Sequence, residues 1–95
     1  MDDKDRHREK LEAKFREVKA RIELLEAKAA QVKAESKIEY QRHLDELRQK
    51  RDAMRSRLDE IKTTGGEAWR DIRAGMEKAA DDLKEAVDKA MAKFR

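Results

Sequence analysis

The sequence predicts an all-α protein: a long helix plus a shorter helix in an antiparallel helical hairpin, assembled into a coiled-coil oligomer. Three observations carry this prediction. Charged residues make up 49% of the 95 residues and the hydrophobic set only 38%, too little apolar material for a spherical core. Proline is absent and glycine occurs only at 65, 66 and 75, the composition of long helices and coiled coils. Apolar residues recur with a helical period. High charge with few aromatics also describes unfolded chains, but here 25 basic and 22 acidic side chains interleave to a net of +3. The periodic spacing then decides for folding over disorder.

A single coiled-coil domain is expected over residues 1–95, with a long helix over 1–62, a turn over 63–66 and a second helix over 67–95. Residues 4–62 contain neither glycine nor proline, so nothing intrinsic interrupts the first helix. Asp2, Asp3 and Asp5 suit its positive N-terminal dipole end. Thr63-Thr64-Gly65-Gly66 is the breaker cluster. Glycine can take the left-handed conformation that ends a helix, and Thr64 with Glu67 has the spacing of a capping box.

The apolar stripe of the first helix has two sections. Leu11, Phe15, Val18, Ile22, Leu25, Ala29 and Val32 step by 4, 3, 4, 3, 4 and 3, an unbroken heptad seam. Tyr40, Leu44, Leu47, Met54, Leu58 and Ile61 form the second section, with Arg51 on the same stripe. Between them Val32 to Leu44 spans twelve residues where continuous heptads need eleven. The register therefore changes near Ser36 to Tyr40, in a stretch thinned by Ala27, Ala29, Ala30, Ala34 and Ser36.

The second helix carries an 11-residue repeat, AWRDIRAGMEK over 68–78 followed by AADDLKEAVDK over 79–89 and AMAKFR over 90–95. Trp69, Ala80 and Met91 are equivalent, as are Ile72, Leu83 and Phe94, and Met76 and Val87. Eleven residues in three turns keeps such a stripe nearly straight. If the glycine cluster reverses the chain, neighbours across a hairpin have numbers summing to about 130, which puts Ile61 opposite Trp69, Leu58 opposite Ile72, Met54 opposite Met76, Leu47 opposite Leu83, Leu44 opposite Val87, Tyr40 opposite Met91 and Ser36 opposite Phe94. These residues, Ser36 apart, form the expected hairpin core. Gly75 is expected where the helices approach closely, and the stem of Arg51 should cover Ala79 with its guanidinium in solvent.

The seam of Leu11, Phe15, Val18, Ile22, Leu25 and Val32 then projects beyond the hairpin as the expected oligomer interface. Each large apolar side chain left in water forgoes about 1.5–3 kcal/mol, so association with another copy, as a dimer or higher oligomer, or with other helical proteins is expected.

Little in the sequence suggests chemistry, and no catalytic, cofactor-binding or metal site is assigned. Cysteine is absent, which removes disulfides, thiolate metal sites and thiol nucleophiles. His7 and His43 would stand roughly 54 Å apart on one straight helix, too far to share a metal. Serine occurs only at 36 and 56 with no paired base, and Gly65-Gly66 lacks the lysine and strand of a phosphate loop. The acid pairs Asp45-Glu46, Asp59-Glu60 and Asp81-Asp82 stand among lysines and arginines, as on a solvated face. Acids also interrupt the densest basic run, Arg48 to Arg57, so nucleic-acid binding ranks as a second alternative. Membrane-surface binding is the sharper one, since Trp69 and Phe94 share one face of a helix that carries Lys78, Lys84, Lys89 and Lys93 elsewhere. No apolar run approaches the roughly 20 residues of a membrane span, and the polar start MDDKDRHREK is not that of a signal peptide. A cytoplasmic location is expected.

The segment from Gly65 to Phe94 resembles the C-terminal part of small bacterial coiled-coil domain-containing proteins of stress-response type. In them a long charged helix is followed by a short break, a Gly-Glu-Ala-Trp sequence and an Ala/Lys-rich 11-residue repeat; Gly66-Glu67-Ala68-Trp69 matches that sequence. The repeat is also similar to those of apolipoproteins and desiccation-protective proteins. The resemblance implies a bacterial cytoplasmic protein linked to stress, and it brings no catalytic residues. Together these readings give a non-enzymatic self-association or scaffolding protein.

Overall fold

A computed structural model describes residues 3–65 and 67–94. The described residues form three helices and no strand: α1 over Asp3–Lys28, α2 over Lys37–Thr63 and α3 over Ala68–Lys93. They pack against one another in every pairing, giving a rod of 51 × 19 × 17 Å. All-α is therefore correct, but the single helix expected over 1–62 is two helices. Two one-turn 3₁₀ helices, Ala29–Gln31 and Ala34–Ser36, join them.

The break occurs without glycine or proline. At its centre Val32 (φ −72°, ψ 138°) and Lys33 (φ −60°, ψ 144°) are extended, between stretches of good helix formers. The one-residue excess in the stripe explains why a continuous helix loses here. One extra residue turns the next apolar section by about 100° around the axis, away from any surface the first section covers. The alanines at the slip offer little burial in exchange. Folding α1 back buries Leu11, Phe15, Val18, Ile22 and Leu25, each contributing about 1.5–3 kcal/mol, against roughly four lost helical hydrogen bonds at about 1 kcal/mol each. Tertiary packing wins over propensity.

The end of α2 is made by threonine rather than glycine. The Thr64 N–H and the hydroxyls of Thr63 and Thr64 all donate to the carbonyl of Glu60, at 3.0, 3.1 and 2.8 Å, which satisfies a carbonyl the helix end leaves open. Thr64 itself is extended (φ −89°, ψ 123°). Gly65 takes no left-handed φ and touches nothing within 4 Å, while the expectation for Gly66 lies outside the described residues. Nor does a capping box form: Glu67 is the N-cap of α3 and makes no side-chain cap bond, and the Thr64 hydroxyl points back to α2.

The core is one apolar column shared by all three helices. Tyr40, Leu44, Leu47, Met54, Leu58 and Ile61 of α2 are buried, as are Met76, Ala80, Leu83, Val87 and Ala90 of α3. Ile72, Met91, Phe94, Ala29 and Val32 are partly buried against them. Among the described residues no buried one is polar or charged other than Tyr40, whose hydroxyl donates to the Leu25 carbonyl; burial pushes the phenol's pKa up.

Candidate functional site

The residues with the clearest expected role are those of the α1 seam, and the structure uses them within the chain. Leu11, Phe15, Val18, Ile22 and Leu25 are at most 9% exposed, and Val32 packs against the same core. The surface expected to need another chain is thus covered by α2 and α3. The premise of a projecting arm falls with the single long helix that required it.

Polar and charged side chains on either side of the seam fix how α1 sits. On one flank, His7, Lys14 and Arg21, seven residues apart, face α3: His7 Nδ1 lies 3.6 Å from Glu77, Lys14 Nζ 3.4 Å from Asp81, and Arg21 donates to Asp88. The numbers rise together, so α1 and α3 run the same way. On the other flank Glu26 accepts from Arg48 of α2 at 2.9 Å and stands 3.7 Å from Arg51. Near the opposite end Lys4 reaches the Thr64 carbonyl, so α1 and α2 run in opposite directions. The Glu26 hydrogen bond holds the Arg48 guanidinium even more firmly protonated. Each exposed pair contributes little to stability. Their value is in register, the role that residues flanking a heptad seam play in coiled coils. Arg55 adds to this by lying over the Phe15 ring, 5.5 Å from its centroid, a cation–π contact.

Arg51 departs from expectation: its guanidinium is drawn to Glu26 of α1 and to Asp52 rather than released to solvent. Gly75 does as well, since it is exposed and a Cβ there would meet only the tip of Arg57 at 4.0 Å. No close helix approach requires it. Trp69 is half-buried at the rod's end, its ring 5.9 Å from that of His7 and beneath Arg73, so it faces α1 as an end cover rather than a core anchor. Phe94 covers the other end. Its ring meets Tyr40 edge-on at 4.8 Å and His43 at 5.5 Å, and it lines an open groove with Ser36, Val32, Lys28 and Lys33.

The two histidines are thereby placed at opposite ends of α3, and among the described residues no group of three or more potential metal ligands occurs. Glu39, at the start of α2, accepts from Lys93 of α3, and that hydrogen bond followed by the lysine's charge holds its carboxyl below the usual glutamate range. No described helix is long and apolar enough to cross a membrane. Large apolar side chains stand out of the core at Leu24, 52% exposed, and Ile38, 78% exposed.

The flank charges carry a signal that lies in the sequence itself. Positions 7, 14 and 21 and position 26 lie on opposite sides of the seam, and a helix with partnered charges on both sides sits between two neighbours. No protein-family model, curated protein or solved structure matches the chain.

Proposed function

We propose that this is a non-enzymatic helical protein that works by association, recognising copies of itself and other helical proteins in a scaffolding role linked to stress. The observation that carries this reading is the way α1 is held: its apolar heptad stripe is covered by α2 and α3 of the same chain, with flanking side chains matched to each, while Leu24 and Ile38 stay exposed outside that core. A helix matched in this way selects helical partners and sets their register, so a second copy is recognised through the outer apolar side chains or where α1 is released to it. The finer parts of the reading are an antiparallel pairing of α2 with α3 and a coiled-coil oligomer. The first is supported by contacts that join the start of α2 to the end of α3, Tyr40 with Phe94 and Glu39 with Lys93. Sedimentation equilibrium from micromolar to millimolar protein tests the second. A mass rising above 11.2 kDa is expected, and a mass fixed at that value throughout overturns the reading.

A membrane-surface role would require Met76, Leu83 and Val87, fully buried here, to leave the bundle for lipid. A blue shift of Trp69 emission on adding anionic vesicles would favour that role, and unchanged emission would count against it.

A further inference from the structure

The geometry points to the bend at Ala29–Ser36 as a hinge through which two copies of the chain exchange α1. In the exchanged form residues 29–36 straighten, α1 and α2 become one helix, and α1 docks on the α2 and α3 of the other copy, which returns its own. This specifies the route of the self-association proposed above and rests on that reading.

Three features of the bend support it. First, its sequence, Ala-Ala-Gln-Val-Lys-Ala-Glu-Ser, contains no residue that must break a helix, and it is rich in those that favour one. Second, the departure from helix is concentrated in two ψ angles, 138° at Val32 and 144° at Lys33. Returning both to helical values joins the segments. Third, no side chain caps any helix start in the bend: Lys28, Lys33 and Ser36 all lack a side-chain cap bond. What holds the bend closed is two backbone bonds, Val32 N–H to the Ala29 carbonyl and Ser36 N–H to the Lys33 carbonyl, with the partial burial of Ala29 and Val32 and the docking of α1 itself.

That docking survives exchange. The bonds of α1 to Asp81, Asp88 and Arg48 join residues 22 or more apart in sequence, all across the hinge, so each can form equally well to a second copy. The buried seam likewise packs on α2 and α3, which lie beyond the bend. Closed and exchanged forms therefore share their core, and protein concentration and the hinge select between them. The exchanged dimer would contain a continuous helix from Asp3 to Thr63, roughly 90 Å long, against 51 Å for the closed rod.

Lys33→Pro separates the two forms. Proline requires φ near −65° and an extended residue before it, and Lys33 at φ −60° after Val32 at ψ 138° provides both. The closed bend accepts it, whereas a straight helix does not. Deleting Lys33 does the reverse, because Val32 to Leu44 then spans the eleven residues of unbroken heptads.

The test unfolds and refolds the full chain at micromolar and at millimolar concentration and resolves the products by size-exclusion chromatography with light scattering. The expected result is a dimer fraction of twice 11.2 kDa that grows with refolding concentration, falls at least tenfold in Lys33→Pro and becomes predominant when Lys33 is deleted. A second measurement covers the case in which the variants fold poorly. In the otherwise cysteine-free chain, Lys14→Cys and Asp81→Cys are joined by a short bis-maleimide in the isolated wild-type-hinge dimer. Exchange gives covalently linked dimers on a denaturing gel. Linked monomers, or a Lys33→Pro protein that dimerises as well as its parent, overturn exchange while leaving association through an outer surface intact. A wild-type chain that stays monomeric under every condition overturns the self-association reading along with it.

Discussion

Leu24 and Leu25 are neighbours of identical chemistry on one helix, and the fold gives them opposite roles. Leu25 is 4% exposed in the core and Leu24 is 52% exposed outside it. Truncating a buried leucine to alanine loses the transfer energy of its methyl and methylene groups plus a cavity term, together about 2–5 kcal/mol. At Leu24 most of the side chain already meets water and alanine is the slightly better helix former, so the change should stay within about 0.5 kcal/mol. A domain of this size shifts its melting temperature by roughly 4–8 °C per kcal/mol. Leu25→Ala should thus melt at least about 8 °C below the parent and Leu24→Ala within a few degrees of it. The assay is thermal and urea unfolding by circular dichroism at micromolar concentration. The contrast between the two should persist on tenfold dilution, because the contacts lie within one chain. Equal effects at both positions, or a Leu25→Ala defect that vanishes in dilute protein, would refute a seam buried intramolecularly.

Other consequences follow from single sites. Gly75→Ala should stabilise the protein by about 0.8–1 kcal/mol in urea titration, since the site is helical, exposed and has room for a Cβ. Tyr40→Phe should cost about 1 kcal/mol by removing the bond to the Leu25 carbonyl without changing the packing shape. Glu39 should contribute to acid sensitivity. Its folded carboxyl titrates below the unfolded one, so at mildly acid pH the unfolded chain binds more protons and stability rises with pH. That contribution is complete above the ordinary glutamate range and is lost as pH falls through the lowered folded value. Glu39→Gln should flatten this part of the stability profile measured by urea titration from pH 6 to pH 2, a window about the usual carboxylate values.

The apolar periodicity made the helix content and nearly all of the core legible. Leu11 to Leu25 and Tyr40 to Ile61 are buried just where the steps of three and four place them, because burial on a helix follows from spacing alone. The turn after Thr63 was also legible, though by a different chemistry, with threonine hydroxyls rather than a left-handed Gly65 closing α2. Less legible was the bend at Ala29–Ser36. No residue there is a helix breaker, and the sign of interruption is a slip of one residue and a run of small side chains, features that only gain meaning once α1 has something to fold back on. The third helix is less deeply buried than its repeat suggests. Its repeat treats Trp69, Ala80 and Met91 as equivalent, yet only Ala80 is fully buried, since a large residue at the rod's end has neighbours on one side only. Ala90 is buried and is the converse case: a small side chain gives a weak periodic signal even where the helices meet.

Whether α1 folds back on α2 within one chain is decided by the distance between their far ends. Spin labels at Arg6→Cys and Lys62→Cys, both exposed, can be measured by pulsed electron paramagnetic resonance in dilute protein mixed with excess unlabelled chain, so that only intramolecular pairs report. The closed bundle predicts a short distance, set by helices packed about 10 Å apart plus the label arms. A population centred at roughly 84 Å, the rise of 56 residues of uninterrupted helix, would contradict it.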